Sequence, residues 1–240
     1  MVFGVAAAAA FVSYVIKGLT GFGNTLIFSS ILSFFANTVS ITPVESVLSL
    51  PSSAFIAWRN RREFRWKLIL PVSGVMTLGT LAGVLLLKGS SPKALKIAFG
   101  FIVIALAVEM ILRERAKKRD GNKAALLAIG VLAGVMSGLY GVGALMAAYM
   151  SRTTDTGAGF RGNLCAVFFL SDIVRLGLYI ASGVLTAEIL LTVLKLAPFM
   201  IAGLALGTAL TGKLPEKAVK NAVVALLLIS GISLVLTKLL

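Results

Sequence analysis

Six residues near the start of the chain, Gly18-Leu-Thr-Gly-Phe-Gly23, return as Gly138-Leu-Tyr-Gly-Val-Gly143, displaced by 120 positions in a chain of 240. Both copies interrupt apolar sequence, so the chain reads as a duplication in which each half carries one glycine-rich break at the same place. Glycine is the residue a chain uses where it must turn sharply or let backbone approach something closely. In a membrane-embedded chain, paired interruptions at corresponding positions point to a transport site.

The membrane assignment rests on composition. Hydrophobic residues make up 58% of the chain and charged ones 13%, and mean hydropathy is +1.00, far from soluble averages. Apolar stretches continue along the whole length, which argues against a secreted protein with a signal peptide at its front. Runs such as 95–112 are apolar on every face and lack the period-two alternation of a membrane barrel. The expected fold class is therefore an all-α integral membrane protein. A net charge of +14 does not indicate nucleic acid, because the cations gather in short loops beside apolar spans, as orientation by the positive-inside rule requires. Cys165 stands alone in an apolar run and reads as a packed small side chain without a disulfide. With no histidine and nine acids, no metal site and no cofactor are expected.

In the first half, apolar segments cover about 2–16, 24–36, 43–57, 67–87 and 93–112, and in the second about 124–136, 144–150, 163–181, 196–211 and 218–237. Each half thus holds five elements in the same order. The basic run 113–123 separates them as a cytoplasmic linker, giving repeat one at 1–112 and repeat two at 124–240. Pro71 matches Pro198, Leu-Gly-Thr at 78–80 matches 206–208, and Lys93-Ala-Leu-Lys96 matches Lys217-Ala-Val-Lys220.

Loop charges test whether the second repeat is upside down. With the loop at 58–67 placed inside, sixteen cations fall inside and five outside. Running both repeats the same way weakens that asymmetry, so inverted repeats are expected. Segment 144–150, at about 1.5 Å per residue, reaches only about 10 Å across a hydrocarbon core about 30 Å thick. The favoured reading is that a glycine-turn hairpin opens each repeat as a re-entrant element, one entering from outside and one from inside, with the turns meeting near the midplane. Short spans joined by tight turns remain the alternative.

After each glycine turn a new helix starts, at Asn24 or Thr25 in one half and Ala144 in the other. Its first N–H groups have no helical acceptor, and a helix N-terminus is partially positive, so two such ends facing one cavity suit a small anion. The candidate substrate-binding set is Gly18, Thr20, Gly21, Gly23, Asn24 and Thr25 with Ser137, Gly138, Tyr140, Gly141 and Gly143. Close helix packing by small residues is the competing explanation. Lys17 precedes the first turn where Ser137 precedes the second, so it joins the set, against the plainer reading of a lysine snorkelling to headgroups. Asp172 and Arg175 lie three apart in an apolar run and must face protein, water or each other. They read as an internal ion pair or as the group that couples transport to a proton or other ion. Asp172 aligns with Ser52, beside Pro51, and Arg175 with Phe55. Thr42-Pro43-Val44-Glu45 has the form of a capping box, which makes Glu45 structural. Ser91-Pro92 marks a further helix start, Glu109 reaches the interface, and Trp58 and Trp66 flank the basic loop as belt aromatics.

Ser137-Gly-Leu-Tyr-Gly-Val-Gly143, Phe160-Arg161, the stretch from Asp172 through Arg175, Tyr179 and Ser182-Gly183 together resemble the sulfite exporter TauE/SafE family of anion permeases, and Gly18 to Gly23 resembles the family's first-half motif. The resemblance spans the whole chain. It implies a secondary carrier of small sulfur-containing or carboxylated anions such as sulfite, sulfoacetate or related sulfonates, usually an exporter. It also implies binding roles for Gly138, Gly141, Gly143 and Arg161. The chain departs from the family where Ala144-Leu145-Met146 replaces a further glycine and proline stretch, and where Asn24 follows Gly23.

The leading expectation is a secondary anion transporter of the cytoplasmic membrane, multi-pass, working by alternating access with no nucleotide-binding loop to power it. Its expected partners are a small anion, the lipid bilayer, a coupling proton or other ion, and a second copy in a homodimer. A passive anion channel is the alternative. An integral-membrane enzyme acting on lipid phosphates is disfavoured, because it would want clustered carboxylates or histidines.

Overall fold

A computed structural model describes residues 2–32, 35, 38–89, 91, 97, 98, 101, 102, 104, 105, 108, 123–213, 215, 221, 224, 225 and 228. The basic linker apart from Lys123, Pro92 of the Ser91-Pro92 helix start, Glu109, the Lys-Ala-Leu-Lys match, and most of the last apolar segment of each half lie outside these residues.

Among the described residues, regular structure is entirely helical. The order is α1 (Val2–Thr20), α2 (Asn24–Leu32), α3 (Thr38–Arg59), a 3-10 turn (Arg61–Glu63), α4 (Trp66–Gly89), α5 (Lys123–Tyr140), α6 (Ala144–Thr153), α7 (Gly157–Ala181) and α8 (Ala187–Leu210). Among the described residues, four helices are long and apolar enough to cross a membrane, over Phe3–Thr20, Trp66–Leu86, Gly157–Ala181 and Ala187–Leu210. Leu70, Leu78 and Leu85 on α4 and Leu194 and Ile201 on α8 are exposed, as lipid-facing side chains are.

Several boundaries differ from the sequence expectation. α1 and α5 run four residues further, through Gly18 and Gly138, because those glycines serve helix packing and the chain turns only after Thr20 and Tyr140. α8 starts at Ala187, nine residues before the expected 196. Glu188 sits in its first turn, where the helix dipole favours an acid, and Lys195 is an exposed residue on its flank. The capping box fails as a helix start. α3 begins at Thr38 and carries Pro43 inside it, forfeiting one backbone bond, so Glu45 lies within the helix.

The two halves pack reciprocally. α4 lies along α5, where a Cβ on Gly79 or Gly83 would strike Gly134 or Gly138 respectively, and α1 lies along α8, with Phe11 over Gly203 and Gly18 over Gly207. Residue numbers rise together along both seams, so each pair is parallel. These are small-residue contacts that let backbones touch. Between them α3 crosses α7 the opposite way, with Asn60 against Gly162 at one end and Glu45 within electrostatic range of Arg175 further along. α3 and α7 are the polar helices. Ser46, Ser49, Ser52 and Ser53 are buried on α3, as are Ser171, Asp172 and Arg175 on α7, so apolar helices enclose a polar centre.

The end of the molecule carrying the basic loop is fastened across the two halves. Arg65 Nη2 donates to Asp155 Oδ2 at 2.7 Å and Nη1 to the Thr153 carbonyl at 3.3 Å, while Asn163 accepts from Arg65 N at 2.7 Å and donates to the Glu63 carbonyl at 2.9 Å. Trp58, 68% exposed, and Trp66, 55% exposed, stand at this rim, as belt aromatics do.

Candidate functional site

Both helix-opening turns are built alike. Gly21 N bonds to the Lys17 carbonyl and Gly141 N to the Ser137 carbonyl, each at 2.7 Å. The two glycines then take φ of +85° and +73°, the left-handed conformation that ends a helix without steric cost only at glycine. Three residues later α2 or α6 begins. α2 has nine residues and α6 ten, about 14 and 15 Å, too short to cross alone.

The N-termini of α2 and α6 open onto one cavity. It is lined by Gly23, Asn24 and Thr25 from the first turn and Gly141, Gly143 and Ala144 from the second, with Ser49, Ser137, Phe168, Asp172 and Arg175 completing the wall. Ser49 is midway along α3, and 168–175 bracket the middle of α7. The turns also meet directly, since a Cβ on Gly141 would fall 2.7 Å from Thr25 Cγ2. The cavity volume is about 20 Å³, room for one or two waters at about 10–15 Å³ each.

Arg175 supplies the charge. Its Nη2 pairs with Asp172 Oδ1 and its Nη1 donates to the Ser137 carbonyl, both at 2.7 Å, and the group is 1% exposed. Nε and the second carboxylate oxygen, Asp172 Oδ2, have no hydrogen-bond partner. Buried polar atoms are rarely left so. The guanidinium therefore keeps a donor in reserve beside two helix N-termini, an arrangement able to take anionic oxygens.

Not every expected residue faces this space. Lys17 is fully buried, and its ammonium spends its three donors on the Ser49 carbonyl at 3.2 Å, Ser49 Oγ at 2.8 Å and Ser53 Oγ at 2.9 Å, so it neither snorkels nor lines the cavity. Thr20 Oγ1 closes its own turn through the Ile16 and Phe22 carbonyls. Gly18 and Gly138 are packing residues of the parallel seams. Gly21 lies under the stem of Arg161, with Phe22 edge-on to Phe160, and Tyr140 is buried behind the turn. Cys165, a free thiol, donates to the Gly21 carbonyl at 3.2 Å.

One residue beside the turns was set aside by the sequence reading. Glu45 is fully buried, accepts from Asn24 Nδ2 through Oε1, and has no partner on Oε2. That oxygen would stand 3.1 Å from a Cβ on Gly141, so the carboxylate sits behind both turns. A glutamate in a mainly apolar stretch, between Val44 and Ser46, was the available signal, and the capping-box pattern hid it.

The family model for the sulfite exporter TauE/SafE matches residues 5–234. The chain belongs to the sulfite exporter TauE/SafE family. TauE/SafE proteins are transporters, which agrees with the apolar helices and places this chain in a membrane. No curated protein and no solved structure matches it. Within this TauE/SafE chain, the cavity between the two glycine turns is the candidate site.

Proposed function

We propose that the chain is a secondary transporter that moves small sulfur-containing anions, such as sulfite, sulfoacetate or related sulfonates, out across the cytoplasmic membrane by alternating access. The observation that carries this reading is the convergence of two sequence-related helix N-termini and the Arg175 guanidinium on one cavity midway along the crossing polar helices. Two partially positive helix ends plus one cation offer an anion donors from several directions. A cavity the size of one or two waters fits a conformation closed on both sides, which has to widen for substrate to enter.

Helix directions support inverted repeats as the source of alternation. α3 ends and α7 begins at the basic-loop end, so α4 leaves that end and α8 returns to it. α1 runs parallel to α8, and α5 parallel to α4. α1, α3 and α4 therefore oppose α5, α7 and α8, their counterparts in the second repeat. The far end of α6 also comes back to the basic-loop end, where the Thr153 carbonyl meets Arg65. This supports a re-entrant hairpin of α5 and α6 entering from the inside, with α1 and α2 as its counterpart from the outside.

Reconstitution of the purified protein in liposomes tests the reading. Saturable sulfite or sulfoacetate flux supports a carrier, conductance without saturation a channel, and product formed from lipid without flux an enzyme.

A further inference from the structure

Among the described residues, four side chains of charged type are buried around the cavity: Lys17, Glu45, Asp172 and Arg175, each 4% exposed or less. With all four ionised their charges cancel. A singly charged substrate anion entering this space leaves one negative charge in excess inside a poorly screening interior, which is costly unless a proton follows it.

The two carboxylates are not equally available for that proton. Asp172 is fixed by Arg175 at 2.7 Å. Glu45 has no ion-pair contact; one oxygen takes the neutral amide of Asn24 and the other has no partner and faces Gly141. The groups that act on it electrostatically are Lys17 and Tyr14 on α1 and Asp172, Arg175 and Tyr179 on α7. α2 and the second turn present it only Asn24, Thr25 and backbone. Glu45 thus serves as the resident anion beside the same helix ends that the substrate would use.

Resting on the transporter reading above, we infer that Glu45 is the proton-coupling residue of the site: the Glu45 carboxylate takes up one proton as the substrate anion binds and releases it as the anion leaves. The O–H bond forms on Oε2 with a proton from the aqueous phase then open to the site, and breaks toward the aqueous phase that receives the anion. A monoanion then crosses with no net charge, and export proceeds where the outward anion gradient exceeds the inward proton gradient. Asn24, bonded to Glu45 and heading α2, is the positioning residue that ties this proton to the first turn.

Binding affinity and proton affinity are linked reciprocally. Methanesulfonate, a monoanion throughout pH 5–9, is titrated into detergent-solubilised protein by calorimetry in two buffers of different ionisation enthalpy. For the wild type we expect uptake of one proton per anion and, above the pH at which Glu45 ionises, affinity that falls about tenfold per pH unit. For Glu45→Gln we expect no proton uptake and a flat pH profile. A wild-type profile that is flat with saturable binding overturns the inference while leaving the transporter standing. Proton uptake retained in Glu45→Gln also overturns it, and moves the proton to another group. Absence of saturable binding at every pH, with no anion flux in liposomes, overturns the transporter reading and this inference with it. If Glu45→Gln does not fold, the two-buffer proton count on the wild type still decides whether one proton accompanies the anion, and Asn24→Ala, which removes the Glu45 tether, should shift the pH profile.

Discussion

Replacing Gly141 by alanine should damage the site more than it damages the fold. Gly141 has φ +73°, and a Cβ there would lie 2.7 Å from Thr25 Cγ2, 3.0 Å from Arg175 Nη1 and 3.1 Å from Glu45 Oε2. Left-handed backbone costs an alanine about 1–2 kcal/mol. Restoring an ordinary contact of 3.4 Å requires Thr25 to retreat by about 0.7 Å, and such overpacking costs about 1–3 kcal/mol. The sum is about 2–5 kcal/mol. Gly183 separates the two contributions, because it has φ +67° and nothing within 4 Å of an added Cβ. Gly183→Ala should lose only the backbone part, about 1–2 kcal/mol, and keep wild-type sulfoacetate affinity. Gly141→Ala should lose that much again or more in thermal unfolding, and the contact part should appear as binding weakened about fivefold to a hundredfold, at 1.4 kcal/mol per tenfold. Equal effects of the two substitutions on binding would refute the placement of Gly141 in the anion site.

Asp172→Asn should destabilise by about 3–5 kcal/mol, since it leaves the buried Arg175 charge without its partner, whereas the double replacement Asp172→Leu with Arg175→Met should recover much of the melting temperature yet abolish saturable flux. At the α4 and α5 seam, an added Cβ on Gly134 meets the Met76 carbonyl while one on Gly74 meets nothing. Gly134→Ala should therefore cost about 1–3 kcal/mol and Gly74→Ala nothing or a slight gain in helix propensity, both measured by unfolding in detergent. Asp155→Asn breaks an ion pair whose side chains are 53% and 68% exposed, so stability to thermal unfolding should fall by less than about 1 kcal/mol, and the difference should vanish at 1 M salt.

How far the sequence reached can be argued from individual residues. Helices were legible because lipid-facing segments must be apolar over many turns, and the turns were legible because Gly21 and Gly141 occupy positions only glycine takes cheaply. Facing of the two turns followed from their repetition, since a duplicated element placed symmetrically tends to meet its copy. Lys17 was conspicuous as a charge in apolar sequence, but its partners Ser49 and Ser53 lie more than thirty residues away, and nothing local shows that they saturate the ammonium. Gly18 and Gly138 looked like members of the turns; only the contact with α8 and α4 shows that they let helices touch. Glu45 was the residue whose position was hardest to read. Thr42-Pro43-Val44-Glu45 satisfies a helix-start pattern by local rules alone, and only the tertiary contact with Asn24 shows that the carboxylate lies against the turns.

The central claim is that the two glycine turns form opposite walls of one anion site. In a Cys165→Ser background, which keeps a donor to the Gly21 carbonyl, single cysteines at Thr25 and Ala144 place one probe on each wall. Thiol-reagent labelling rates are then measured against increasing sulfoacetate. The account predicts that both positions are protected, with the same half-maximal concentration. Protection of one position only, or of neither while saturable flux persists, would contradict it.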